Sequence, residues 1–99
     1  MIPIAIVAFV TADAQVLSAV RSEIRIPGLK TSRPAIVGDW ALVGWWNENA
    51  GGQALLQQRS GRWSVVSRGG GVMDEMTLRR RGVPADVARA LIARLAVGR

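Results

Sequence analysis

Apolar and polar positions change rhythm several times along the chain, and each change marks an element. Residues 2–10 (IPIAIVAFV) form an unbroken apolar run. In residues 12–25, Val16, Leu17, Val20 and Ile24 recur at helical spacing, while Arg21, Glu23 and Arg25 fall on the other side. This predicts an amphipathic helix with one oily face. Thr11 or Asp13 can cap its start. Ile26-Pro27-Gly28 ends it, because proline disfavours helix at the preceding residue and glycine accepts positive φ.

The rhythm then shortens to that of strands. Residues 34–37 lead into Gly38-Asp39, a two-residue turn signal, and residues 40–46 alternate. Trp40, Leu42, Gly44 and Trp46 lie on one face, with Ala41, Val43 and Trp45 on the other. Residues 53–59 and 62–68 flank Ser60-Gly61, a second hairpin signal. With Arg59 opposite Arg62, Gln58 faces Trp63, Leu56 faces Val65 and Leu55 faces Val66, which keeps apolar partners together. Gly69-Gly70-Gly71 breaks the pattern, and helical spacing returns. A short helix opens at Met73 or Asp74 and runs to Arg81, with acids early and arginines late, as the helix dipole favours. Gly82-Val83-Pro84 separates it from a last helix, 85–97, in which Val87, Ala90, Leu91 and Leu95 share a face. The predicted fold is α+β: an N-terminal helix, a four-stranded antiparallel β-meander and two C-terminal helices, in one pair of layers. Helices then shelter one face of the meander and leave the other free.

The apolar run at the N-terminus has two readings. Nine residues suit the hydrophobic region of an export signal, and Ala12 and Ala14 fit the small-x-small pattern of a cleavage site. No lysine or arginine precedes Arg21, so the usual basic start is missing. The other reading is a buried strand, which the β-branched Ile2, Ile4 and Ile6 favour. A membrane span would need roughly 20 apolar residues. The expectation is export, to the periplasm or the medium, with residues 1–14 as the signal and 15–99 as a single domain; a cytoplasmic location is the alternative.

Composition narrows the chemistry. The chain has 99 residues and contains neither cysteine nor histidine. That excludes disulfides, thiolate nucleophiles, Cys/His zinc sites and every triad built on imidazole. No Gly-x-Ser-x-Gly elbow or Ser-x-x-Lys dyad occurs. An enzyme is not expected, and no cofactor or metal is implied.

The thirteen basic residues, twelve of them arginine, exceed the seven acidic ones by six. Residues 1–49 carry four of each sign, whereas residues 50–99 carry nine basic and three acidic, so the second half holds the whole excess. Such asymmetry is the footprint of an anionic partner, or of a composition in which arginine is simply the solubilising residue.

Three features could carry binding. The adjacent Trp45 and Trp46 must point to opposite faces of a strand, so one of them can serve as a platform. Arg79, Arg80 and Arg81 fan around a helix end, and Arg59, Arg62 and Arg68 lie on the preceding hairpin. The opposed Arg59 and Arg62 would repel unless both reach water or share an anion. Gly69, Gly70 and Gly71 can expose consecutive N–H groups to an anion before a helix, although they lack the Gly-Lys-Ser/Thr of a P-loop.

The ordered blocks Gly38-Asp39-Trp40-Ala41-Leu42, Gly51-Gly52-Gln53-Ala54-Leu55-Leu56, Gly61-x-Trp63-x-Val65, Gly69-Gly70-Gly71 and Leu78-x-x-x-Gly82-Val83-Pro84-x-x-x-Ala88 span about residues 35–92. In that order they resemble a group of small uncharacterised bacterial proteins, often predicted to be exported. The resemblance implies the same small fold and carries no established activity. The functional expectation is a non-enzymatic binding or structural module that holds a protein or other anionic macromolecule through arginine and tryptophan on the meander. A nucleic-acid-binding protein using the basic second half is the alternative.

Overall fold

The structure, a computed structural model, describes residues 11–97. The apolar run 2–10 lies outside the described residues. Helix α1 (Ala12–Glu23) starts on Thr11, whose side-chain Oγ1 accepts from the Ala14 N–H at 3.1 Å. It ends two residues before the predicted Arg25, with Ile24 already extended. Strands β1 (Lys30–Thr31), β2 (Ala35–Val37), β3 (Trp40–Trp46), β4 (Gly51–Arg59) and β5 (Arg62–Gly70) form one antiparallel sheet. Helices α2 (Glu75–Arg80) and α3 (Ala85–Val97) follow.

The class and element order are those predicted, with one more strand. Both β1 and β2 pair with β3, at Lys30↔Trp46 and Thr31↔Trp45 and then at Ala35↔Leu42 through Val37↔Trp40. They are two pieces of one edge, interrupted at Ser32–Pro34. There the Ser32 Oγ takes the Gly44 N–H at 2.9 Å, and the Ser32 N–H donates to the Gly44 carbonyl at 2.8 Å. Pro34 has no N–H to offer a ladder.

The predicted hairpin register holds at Arg59↔Arg62, Gln58↔Trp63 and Leu56↔Val65. It departs at the next step. Leu55 faces Ser67 rather than Val66, because a bulge inserts a residue into β5. Val66, left out of the pairing, is 42% exposed. A bulge on an edge strand twists it away from further pairing.

The expected single pair of layers is corrected to three. Alternate residues of β3 and β4 are buried on both sides of the sheet. Leu42 and Leu55 join Leu78, Val83, Ala88, Leu91 and Leu95 beneath α2 and α3. Ala41, Val43, Ala54 and Leu56 join Val16, Val20, Ile24 and Trp63 beneath α1. The signal is the run Ala54-Leu55-Leu56, buried without alternation, as strands covered on both faces are. Each fully buried leucine contributes roughly 1.5–3 kcal/mol from burial alone. The consequence for function is direct: neither face is wholly free, since α1 lies on one side and α3 covers β2 and β3 on the other, leaving β5 exposed there at Arg62, Ser64 and Gly69. What remains accessible is its two ends and its edges.

Candidate binding surface

Turn chemistry and strand alternation place the arginines. Ser60 and Gly61 both have positive φ (51° and 74°), the geometry of a tight two-residue hairpin that leaves Arg59 and Arg62 directly opposed. Leu55, Gln57 and Arg59 alternate onto the α2–α3 side, so Arg62 shares that side with Arg59 and Trp40. The Arg59 Nε donates to Gln57 Oε1 at 3.2 Å, which orients it along the strand.

Helix α2 delivers three more arginines to the same end. Asp74 caps it, its carboxylate accepting from the Thr77 N–H at 2.8 Å. That bond holds the Asp74 pKa below its ordinary value, with a smaller contribution from the Arg80 charge. Leu78 buries against Leu42 and Leu55, which turns Arg79, Arg80 and Arg81 to solvent. The chain then reverses at Gly82, which lies beside the Trp40 ring; a β-carbon there would sit 3.9 Å from Trp40 Cη2. Trp40 in turn flanks the β2–β3 turn and pairs with Gln57. Trp40 therefore brings Arg79–Arg81 to the side and end of the sheet where Arg59 and Arg62 project.

Five arginines from three elements, β4, β5 and α2 with its C-cap, lie toward this end, and none is within ion-pair distance of a carboxylate among the described residues. Among the described residues, one ion pair forms, Arg89 to Glu75 at 3.6 Å, and it joins α3 to α2 elsewhere. Arg80 Nη2 donates to the Met76 sulfur at 3.3 Å, and its charge also acts on the Asp74 carboxylate without forming an ion pair. Asp39, in the neighbouring turn, is the acid at this end; its carbonyl accepts from the Gln58 N–H at 2.7 Å.

The other residues singled out from the sequence lie elsewhere. Arg68 is near the opposite end of β5, and its Nη1 donates to the Glu23 carbonyl at 3.1 Å. It thereby satisfies a backbone acceptor at the C-terminus of α1. Trp45 and Trp46 close β3 at that far end, about 26 Å along β4 from the arginine hairpin at roughly 3.3 Å per strand residue. Trp46 is 43% exposed. Trp45 packs under α1, and its indole N–H has no acceptor among the described residues. One ring is thus solvent-facing and one sheltered, as alternation requires.

The triple glycine is not a loop leading into a helix. Gly69 and Gly70 are the last residues of β5, paired with Gln53 and Gly52, and only Gly71 turns, at φ 101°. Two more residues intervene before Asp74, which caps α2 with its own side chain. A cradle of three N–H groups at a helix start is therefore not built here.

Three functional-looking residues escaped the sequence reading: Ser32, Arg33 and Gln53. Gln53 stands inside an apolar run, and a polar residue at a core position was its available signal. The carboxylates offer no buried acid: Asp13, Glu23, Asp39, Glu48, Asp74 and Asp86 are exposed, and Glu75 is half-buried. Among the described residues no three of them cluster as metal ligands, and no helix is long and apolar enough to cross a membrane. No protein-family model, curated protein or solved structure matches this chain.

Proposed function

We propose that this protein is a non-enzymatic binding module that holds an acidic protein surface against the arginine end of its sheet. One observation carries the reading: Arg59 and Arg62 stand opposed across the hairpin, Arg79, Arg80 and Arg81 lie next to Gly82 beside Trp40 toward the same end, and none of the five forms an ion pair among the described residues. Like charges held opposite each other repel and weaken a hairpin. An anion received between them removes that penalty, and guanidinium forks suit carboxylates in particular. The export reading concerns residues 1–14 and is tested separately, by the intact mass of the natively expressed protein.

A duplex nucleic acid is the second reading, favoured by the same five cations. Single strands suit the surface less, since the ring at this end, Trp40, is half-buried against Gly82 and offers no open stacking face.

The test titrates a fluorescent oligoglutamate peptide and a fluorescent DNA duplex against the protein at about 50 mM salt, where phosphate-driven binding is strong. The peptide is expected to bind, and Arg59→Gln/Arg62→Gln is expected to weaken it at least about tenfold with the far-UV circular dichroism spectrum unchanged. Tighter binding of the duplex, with log K falling by about 0.9 per phosphate contact against log salt, selects the second reading. Binding of neither probe contradicts both.

A further inference from the structure

At the far end of the sheet the side chains leave a hollow of about 610 Å³, within the range of small-molecule sites. It is distinct from the arginine end and owes nothing to it. Two strand glycines, Gly44 and Gly51, line its floor, with the Ser32 side chain beside Gly44. Gly44 pairs with Gln53 and Gly51 with Trp46, so all four share the α2–α3 side of the sheet. Helix α3 covers that side as far as Leu42 and Leu95 but leaves this end open. The exposed Trp46 ring forms one wall, Val72 another, and Arg33 stands at the rim, held in the break between β1 and β2.

Gln53 is what distinguishes the hollow from a gap in packing. It is 5% exposed and lines the hollow. Its Oε1 is taken by the Met73 N–H at 2.7 Å, which fixes the orientation of the carboxamide. The Nε2 group, with two N–H donors, has no partner among the described residues, yet it is not among the fully enclosed unpaired atoms. Gln53 lines both this hollow and the smaller cavity beside Met73, Ile92 and Leu95, so an amide locked through its oxygen has donors left for an occupant at this place. Donors without acceptors, beside a guanidinium and an indole face, call for one kind of occupant.

From this geometry we infer that the hollow is a binding site for a small aromatic carboxylate. The ring lies on the glycine floor against Trp46, and the carboxylate accepts from Gln53 Nε2 and faces Arg33. A neutral ring would leave both polar groups unsatisfied, and an anion without a ring would leave the apolar floor wet. The charge of Arg33 and the fixed donor together set the selectivity.

The probes are 2-naphthoate and its neutral twin 2-naphthalenemethanol, titrated into ¹⁵N-labelled protein. Naphthoate is expected to bind with a dissociation constant of about 1 mM or tighter and to move the Gln53 side-chain amide resonances. The alcohol is expected to bind about tenfold more weakly, the value of a charge-assisted hydrogen bond. Gln53→Glu keeps the acceptor for Met73 but replaces the donor with negative charge, and should abolish naphthoate binding. If that variant fails to fold, Arg33→Gln and Trp46→Ala, both at exposed positions, carry the test, each weakening naphthoate about fivefold or more. A peptide ending in phenylalanine that binds more tightly than naphthoate would overturn the small-molecule assignment. Equal binding of acid and alcohol, or no shift at Gln53, would overturn the site. The Arg59→Gln/Arg62→Gln variant should bind naphthoate normally, so failure here and failure at the arginine end are separable.

Discussion

At the scale of single residues, the glycines near the tryptophans carry different weights, and the structure separates them. A β-carbon on Gly52 would overlap the Gly69 carbonyl oxygen and sit 2.9 Å from the Trp45 ring. Gly69 has open space around the same position. Gly52→Ala should therefore lower stability by about 3 kcal/mol or more, whereas Gly69→Ala should stay within about 0.5 kcal/mol. Urea denaturation of the two variants checks this contrast; equal midpoints would mean that β5 does not cross so close to β4.

Asp74 offers a second residue-scale test. Its carboxylate is stabilised in the charged form by the Thr77 bonds, so its folded pKa lies below the usual 3.8. A depressed carboxylate contributes stability that is complete above the unfolded value and is lost as pH falls through the folded one. Asn also caps helices. Asp74→Asn should thus melt lower than the parent at neutral pH, and the two melting curves should converge below the folded pKa. A gap unchanged down to the lowest pH would assign the effect to something other than ionisation.

Elements were legible in the sequence wherever a local rule acted alone. Apolar spacing placed α1 and α3 within two residues, and Ser60-Gly61 set the hairpin register. The errors share a cause. Edge strand β1 is two residues long and forms because Ser32 bridges to Gly44, a pairing across 12 residues that no local pattern announces. The bulge at Val66 follows from tertiary twist; alternation alone continued the regular register. Arg68 is an exposed cation, as its sequence context suggests, and what no local pattern announces is that its guanidinium reaches the Glu23 carbonyl, 45 residues away.

Gln53 also acts at this scale, tying the segment after β5 to β4 through the Met73 N–H. Gln53→Leu leaves that buried donor without an acceptor and should cost about 1–3 kcal/mol. Hydrogen exchange should reveal the loss locally, with faster exchange at Met73 and Leu78 and little change in α1. Uniformly faster exchange would mean that the tie stabilises the whole domain.

For the whole molecule, the decisive feature is that helices cover both faces of the sheet. The sequence reading put one ring and the arginines on an open face. The three-layer packing moves the accessible chemistry to opposite ends: five arginines at one, Trp46 and the glycine floor at the other. The two cores should also behave independently. Leu56 belongs to the α1 core and Leu91 to the α2–α3 core. Truncating each to alanine should cost about 2–5 kcal/mol, and the double variant should lose the sum to within about 0.5 kcal/mol. Strong coupling in guanidinium denaturation would indicate one continuous core.

The central claim is that the fold gathers five arginines into one receptive end. Amide chemical-shift mapping with an oligoglutamate peptide tests it most directly. The account predicts perturbations confined to residues 57–64 and 79–83, spreading neither to α1 nor to the Trp46 end. Perturbations centred on α1 or on Trp46, or none at saturating peptide, would contradict it.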